Sequence, residues 1–185
     1  MSTDNTTQPP QKPGILREIL SWVFVLVIAA AIALFIRNVV IVNAVVPTGS
    51  MLNTIPEHSR LVAFRLSYTF SDPSRGDVVV FRFPDDESVL HVKRIIGLPE
   101  ETVNIIGGLV YIDNATEPLD EWYLMETPIP QNMTFEVPAG HFFVMGDNRN
   151  FSLDSRSWQT TSYLPQENIL GRAIFRYWPR VGLIR

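Results

Sequence analysis

The chain has 185 residues, enough for one domain with appendages, and a formal net charge of -4 that gives no reason to expect nucleic-acid binding. It contains no cysteine, which excludes disulfides, thiolate zinc sites and a cysteine nucleophile, and leaves the compartment open. Fourteen prolines, eleven phenylalanines and many valines and isoleucines favour strands and turns over a helical bundle.

The chain opens with MSTDNTTQPPQKPG, polar and proline-rich without apolar periodicity, so residues 1–18 are expected to form a disordered tail on the cytoplasmic side. From Ile19 to Ile36 it reads ILSWVFVLVIAAAIALFI, eighteen residues without a charge. A helix of that length covers about 27 Å, close to the roughly 30 Å of a hydrocarbon core. Arg37 suits one interface by snorkelling and Trp22 the other, so a spanning helix is expected over 19–42. A buried helix of a soluble protein would keep one polar face, which this segment lacks. A cleaved leader is the other alternative, because VNA at Val42 to Ala44 resembles a cleavage site. Its apolar core would, however, exceed the usual length of about 7–15 residues. Lys12 and Arg17 precede the span and Arg37 follows it, a small bias toward a cytoplasmic N-terminus.

Beyond Val42 the texture changes. RLVAFRLSY, GDVVVFRFP, HVKRIIGLP, ETVNIIGGLVYIDN, HFFVMGDN and GRAIFRYWP are short apolar or alternating runs separated by turn signals. Gly107-Gly108 between VNII and LVYI marks a two-residue hairpin. No βαβ rhythm and no repeat occurs. The fold class expected for 43–185 is therefore one all-β domain of antiparallel sheets. Residues 113–138, rich in Pro, Glu and Asn, are expected to be an insertion or irregular segment.

Just past the apolar segment, VVPTGSM offers Ser50 behind a glycine. No GxSxG elbow surrounds it, and His58, His91 and His141 lie on unrelated stretches. A lysine can serve as base when neutral. At an ordinary pKa only about one amine in a thousand is neutral at pH 7.4, so such a lysine needs an apolar burial site. The chain has two lysines: Lys12 in the tail and Lys93 in VLHVKRIIGLP, among Val89, Leu90, Val92, Ile95 and Ile96. Strand alternation puts Lys93 and Arg94 on opposite faces, so that one points inward while the other stays solvated. An exposed lysine snorkelling along an edge strand fits the same residues.

VVPTGSM, GDVVVFRFP, VKRIIGLP and MGDNRNFSLDSR, in that order behind an apolar anchor, resemble the bacterial type I signal peptidases (leader peptidases, peptidase family S26). The resemblance runs from the anchor to the C-terminus, and the single anchor is nearest the compact forms common in Gram-positive bacteria. It implies an all-β catalytic domain outside the cytoplasmic membrane, a serine–lysine dyad and the removal of signal peptides from exported preproteins. It implies no cofactor and no metal; a calcium-loop reading of the Asn/Ser/Asp alternation fails because Leu153 stands where that loop needs glycine. By the same resemblance Ser50 is the nucleophile and Lys93 the general base. Thr48 and the Ser50 backbone N–H form the oxyanion hole. Ser152 hydrogen-bonds the lysine amine, Asp154 and Arg156 form a pair bracing their loop, and Asp147 with Asn148 fits the turn carrying it. Val46, Pro47, Ile55 and Val92 match positions that line shallow pockets for the small residues before the cut; core packing is the plainer reading of each. Asn53, Asn150 and Phe151 depart from the family's usual residues. The partners implied are preproteins, membrane lipid and, by proximity, the export machinery. Two alternatives are a self-cleaving repressor-type regulator, which would need a DNA-binding domain, and an anchored, non-catalytic β domain with a binding or assembly role.

Overall fold

A computed structural model describes residues 14–185; the expected disorder of residues 1–13 and the position of Lys12 lie outside them. The chain divides into an N-terminal unit ending at Arg37 and a second unit, Asn38–Arg185.

The first unit is helix α1, Ile15–Phe35, which runs on as a wider turn over Ile36–Val40. No Gly or Pro interrupts it, and none of its residues is buried. The 26 residues Ile15–Val40 are long and apolar enough to cross a membrane. The helix starts four residues before the expected Ile19 and stops before Val42. The reason for the earlier stop lies in the sequence. Over IVNAVV the apolar pattern changes to a period of two, and Val42, Ala44 and Val46 turn inward while Asn43 and Val45 face out. β-branched residues with that alternation make a strand.

The second unit is all-β, as expected. Its strands are β1 (Ile41–Val46), β2 (Ser59–Phe64), β3 (Val78–Phe83), β4 (Asp86–Gly97), β5 (Thr102–Ile106), β6 (Leu109–Ile112), β7 (Met133–Glu136), β8 (His141–Met145), β9 (Leu164–Pro165), β10 (Ile169–Trp178) and β11 (Gly182–Leu183). The larger sheet has the order β1-β2-β10-β3-β4-β8-β9, with β11 beside β10. The smaller has the order β6-β5-β7. Every pairing is antiparallel.

Gly107 and Gly108, both at positive φ, close the β5–β6 hairpin with Ile106 opposite Leu109. Glycine adopts that pair of conformations without strain, which is why the dipeptide marks the turn. The span 113–138 is less irregular than expected. Its C-terminal part contributes β7, and Tyr123 and Val137 join the core of the smaller sheet with Ile96, Val103, Ile105, Val110, Phe143 and Met145. Between Ile112 and Met133 the chain is without helix or strand.

β4 carries the transition that matters for function. Its first five residues are exposed and its last six, Val92–Gly97, are buried. In that half the strand lies between β3 and β8, with Val79 opposite Lys93 and Met145 opposite Arg94. Both faces are covered there: Ile95 packs with Phe81, Val144 and Trp158, while Val92 packs with Val46, Met51 and Ile55. The expectation that one of Lys93 and Arg94 would remain solvated is therefore corrected. Lys93 is 4% exposed and Arg94 2%.

Candidate active site

Three segments meet around Lys93. β1 delivers Val46 and Pro47, after which Thr48 is extended and Gly49–Met51 form a single helical turn. The central strand β4 delivers Lys93. The loop after β8, Gly146 to Arg156, lies against the other two. Asn148 donates from its backbone N–H to Ser50 O and from Nδ2 to Gly49 O, both at 3.0 Å. Gly146 permits this closeness, since a Cβ there would overlap Ser50 O and Ser152 Oγ.

At the junction Lys93 Nζ donates to Ser50 Oγ at 2.6 Å, and Ser50 is 5% exposed. Thr48 Oγ1 donates to the same oxygen at 3.3 Å. Burial pulls the Lys93 pKa down to about 8, against the opposing pull of the Asp154 and Asp147 carboxylates. A pKa of 8 leaves about a tenth of the amines neutral at pH 7, against about three in ten thousand at 10.5. The pair thus sets a hydroxyl against an amine that is partly able to accept its proton.

The acidic groups nearby are neutralised by specific partners. Asp154 is wholly buried; burial opposes its ionisation, but bidentate bonds from Arg156 Nε and Nη2, both 2.8 Å, and the Gly146 N–H hold its carboxyl below the usual range. Arg156 also donates to Arg149 O at 2.8 Å, tying the loop back on itself. Asp147 does more than sit in a turn. It receives Arg94 Nε at 2.8 Å and Nη2 at 2.7 Å, and Thr54 Oγ1 donates to it. The arginine one residue past Lys93 therefore anchors the loop that lies on Ser50. The signal for it in the sequence was a second cation inside an apolar strand.

Two expectations need correction. Ser152 Oγ is buried beside Gly146, and the bond expected from it to the Lys93 amine is not formed. Ile55 is fully buried in the core with Met51, Val46 and Val92 and does not line the cavity beside Ser50. Of the other pocket candidates, Val46, Pro47 and Val92 do line it. That cavity, about 290 Å³, is also walled by Val45, Val89, Leu90 and Leu153 and reaches Thr48, Ser50 and Lys93.

His91 also lines it, a position that its place in the sequence did not suggest. Its ring stacks on Phe83 at 4.2 Å between centroids, and burial, helped by the charge of Lys93, lowers its pKa to about 4. It is neutral at physiological pH. Among the described residues no group of three or more His, Asp or Glu side chains converges to hold a metal ion.

Residues 19–178 match the family model described as signal peptidase, peptidase S26. The probable signal peptidase I-1 of Synechocystis sp. is 41% identical over 161 residues, covering 83% of this chain and 80% of that protein. The signal peptidase I of Leptolyngbya laminosa is 41% identical over 160 residues, covering 82% of this chain and 76% of that one. A crystal structure of a signal peptidase I from Enterococcus faecalis V583 aligns over 55% of this chain and 97% of its own, with 30% identity and a TM-score of 0.47.

Proposed function

The chain belongs to the signal peptidase family, peptidase S26, and from that membership we propose that it cleaves signal peptides as a membrane-anchored enzyme with a serine–lysine dyad. The coarse activity is that of a signal peptidase, a hydrolase that removes signal peptides from preproteins. The observation that carries the finer reading is the buried 2.6 Å contact between Lys93 Nζ and Ser50 Oγ.

In the reactive form Lys93 is neutral and the bond between the two groups reverses, the Ser50 hydroxyl donating to the amine. Ser50 Oγ attacks the carbonyl carbon of the bond to be cut while Lys93 takes its proton. Negative charge then develops on the carbonyl oxygen. The Ser50 N–H and the Thr48 hydroxyl, close to Ser50 Oγ in the resting site, are the donors available to it. Collapse of the tetrahedral species breaks the C–N bond, and the Lys93 ammonium gives its proton to the departing amine. The acyl group remains on Ser50. Water then attacks this ester, Lys93 again accepting and returning a proton, and the signal peptide leaves with a new carboxyl terminus.

β1 is the edge strand of the larger sheet, with β2 as its one neighbour. An extended substrate segment can pair along it, laying alternate side chains into the cavity lined by Val46 and Val92. These branched walls admit small residues and exclude bulky ones. Ile15–Val40 serves as the anchor, the N-terminus cytoplasmic and the β unit on the far side. Lipid and the export machinery are then its neighbours. A substrate tethered in the same bilayer reaches the site by a search confined to the membrane plane.

The test is processing of a preprotein by purified full-length protein in detergent or vesicles. Ser50→Ala and Lys93→Ala variants should both lose cleavage while keeping the circular dichroism of the folded domain. Cleavage at the normal rate by either variant would remove the dyad.

A further inference from the structure

From Ile95 to Asn148 the chain carries no lysine or arginine, and Arg149 is the first cation after Arg94. Within that stretch the backbone leaves the smaller sheet at Leu119, whose N–H bonds Val110 O at 2.7 Å, and returns at Gln131, whose O accepts from Gly108 N at 3.1 Å. The residues between have no regular structure, yet they are held by side chains from the two segments that frame Ser50.

Arg149, Glu121 and Tyr123 converge. Arg149 forks onto Glu121, with Nη1 to Oε2 at 2.7 Å and Nη2 to Oε1, and the two side chains are 1% and 6% exposed. Tyr123 Oη donates to the same carboxylate at 2.7 Å, and its ring carries the Arg94 guanidinium 4.0 Å above its centroid. Asn53, just after the nucleophile turn, sits at φ 86° and gives its Nδ2 to Tyr123 O at 2.6 Å. On the other side Asn150 Oδ1 accepts from Ile129 N at 2.8 Å, while its Nδ2 faces Glu126 Oε2 and Thr127 O at 3.3 Å. Asn53 and Asn150 are two of the three positions where this chain departs from the pattern it resembles, and both bonds end on the same segment.

We propose that Leu119–Gln131 is a strap that positions the catalytic loop, with Asn53, Arg149 and Asn150 as its ties. Asn148, which holds the backbone of Gly49 and Ser50, lies directly before the two loop ties. A strap fixed at Tyr123 to the nucleophile turn, and at Glu121 and Ile129 to the loop, fixes the distance between those two segments. None of the ties touches the cavity beside Ser50, so they are positioning residues acting through Asn148. An aspartate at 150 would keep the acceptor for Ile129 N–H, lose both donor contacts and face the Glu126 carboxylate with a like charge. Asparagine is the residue type that serves both sides of this contact.

The inference rests on the reading of Ser50 as nucleophile, and its test separates the two. Asn53→Gly keeps the left-handed backbone and deletes the tie; Asn150→Ala deletes the other; both avoid stranding the buried Arg149 charge. Full-length protein, the double variant and Ser50→Ala are compared for kcat and KM on a preprotein and for hydrogen exchange at the Asn148 N–H. The double variant should lose about tenfold in kcat with KM within twofold, and Asn148 should exchange at least tenfold faster. Asn150→Asp, which keeps one contact but sets a like charge against Glu126, should fall between wild type and the double variant in both readouts. A double variant with wild-type kcat, or with unchanged Asn148 protection, overturns the strap while leaving Ser50 in its role. If wild type cleaves nothing, or Ser50→Ala still cleaves, the nucleophile reading fails, and the exchange rate alone then decides whether the strap holds the loop.

Discussion

Replacing Lys93 by methionine, which keeps the length of the side chain and removes its charge, should stabilise the protein, and by an amount that depends on pH. The amine falls from an ordinary 10.5 to about 8 in the folded state because it is 4% exposed. A depressed lysine pKa means that the folded state resists the proton. Below pH 8 both states are protonated and the full penalty applies. Between 8 and 10.5 the unfolded chain binds a proton that the folded one has released, so stability rises with pH across that window. At about 1.36 kcal/mol per unit, the burden is about 3 kcal/mol at pH 7 and falls to about 1 kcal/mol at pH 10. Urea unfolding in micelles, followed by circular dichroism of the β unit, gives both curves. The advantage of Lys93→Met over wild type should shrink by about 2 kcal/mol between pH 7 and pH 10. An advantage that stays constant over that range would mean that the amine titrates normally and that burial does not shift it.

Thr48→Val keeps the shape of the side chain and deletes the hydroxyl, so processing should slow by about 10²–10³ with unfolding unchanged. A rate within threefold of wild type in the same cleavage assay would assign the second oxyanion donor elsewhere. Asp147→Asn leaves the Arg94 guanidinium, 2% exposed, without its counter-charge and should destabilise the β unit by about 3–5 kcal/mol in chemical unfolding. A loss under about 1 kcal/mol would show that Tyr123 and the backbone carbonyls suffice to hold that charge.

The strands whose apolar pattern is local were legible: the VVVF and HVKRII runs are short stretches rich in branched apolar residues between turn signals, covered on both faces, and the Gly107-Gly108 hairpin needs only a turn that glycine closes without strain. Lys93 was legible only in part: the branched apolar residues around it fitted a buried amine and an exposed one on an edge strand alike, and the resemblance, not the local pattern, pointed to the buried one. What stayed hidden depends on contacts distant in sequence. Val42 looked like more of the apolar run until β2 was there to pair with it. Arg94 looked like the solvated partner of Lys93, because its counter-ion lies 53 positions away at Asp147. Glu121 and Tyr123 read as loop residues, since nothing near them in the chain is a cation; their partner, Arg149, comes 28 residues after Glu121. Ile55 matched a pocket position by motif, but its side chain turns into the core beside Met51. The short β7, β9 and β11 carry too few residues of their own to declare a period.

With only two lysines in the chain, the protonation of the Lys93 amine can be read by resonance. Full-length protein labelled with 15N at the lysine side chains, in micelles, gives two amine resonances, which Lys93→Arg assigns. Titration should place the Lys93 midpoint near pH 8. A Lys93 resonance that titrates above pH 10 would rule the proposed dyad out, because Ser50 would then have no base near neutral pH.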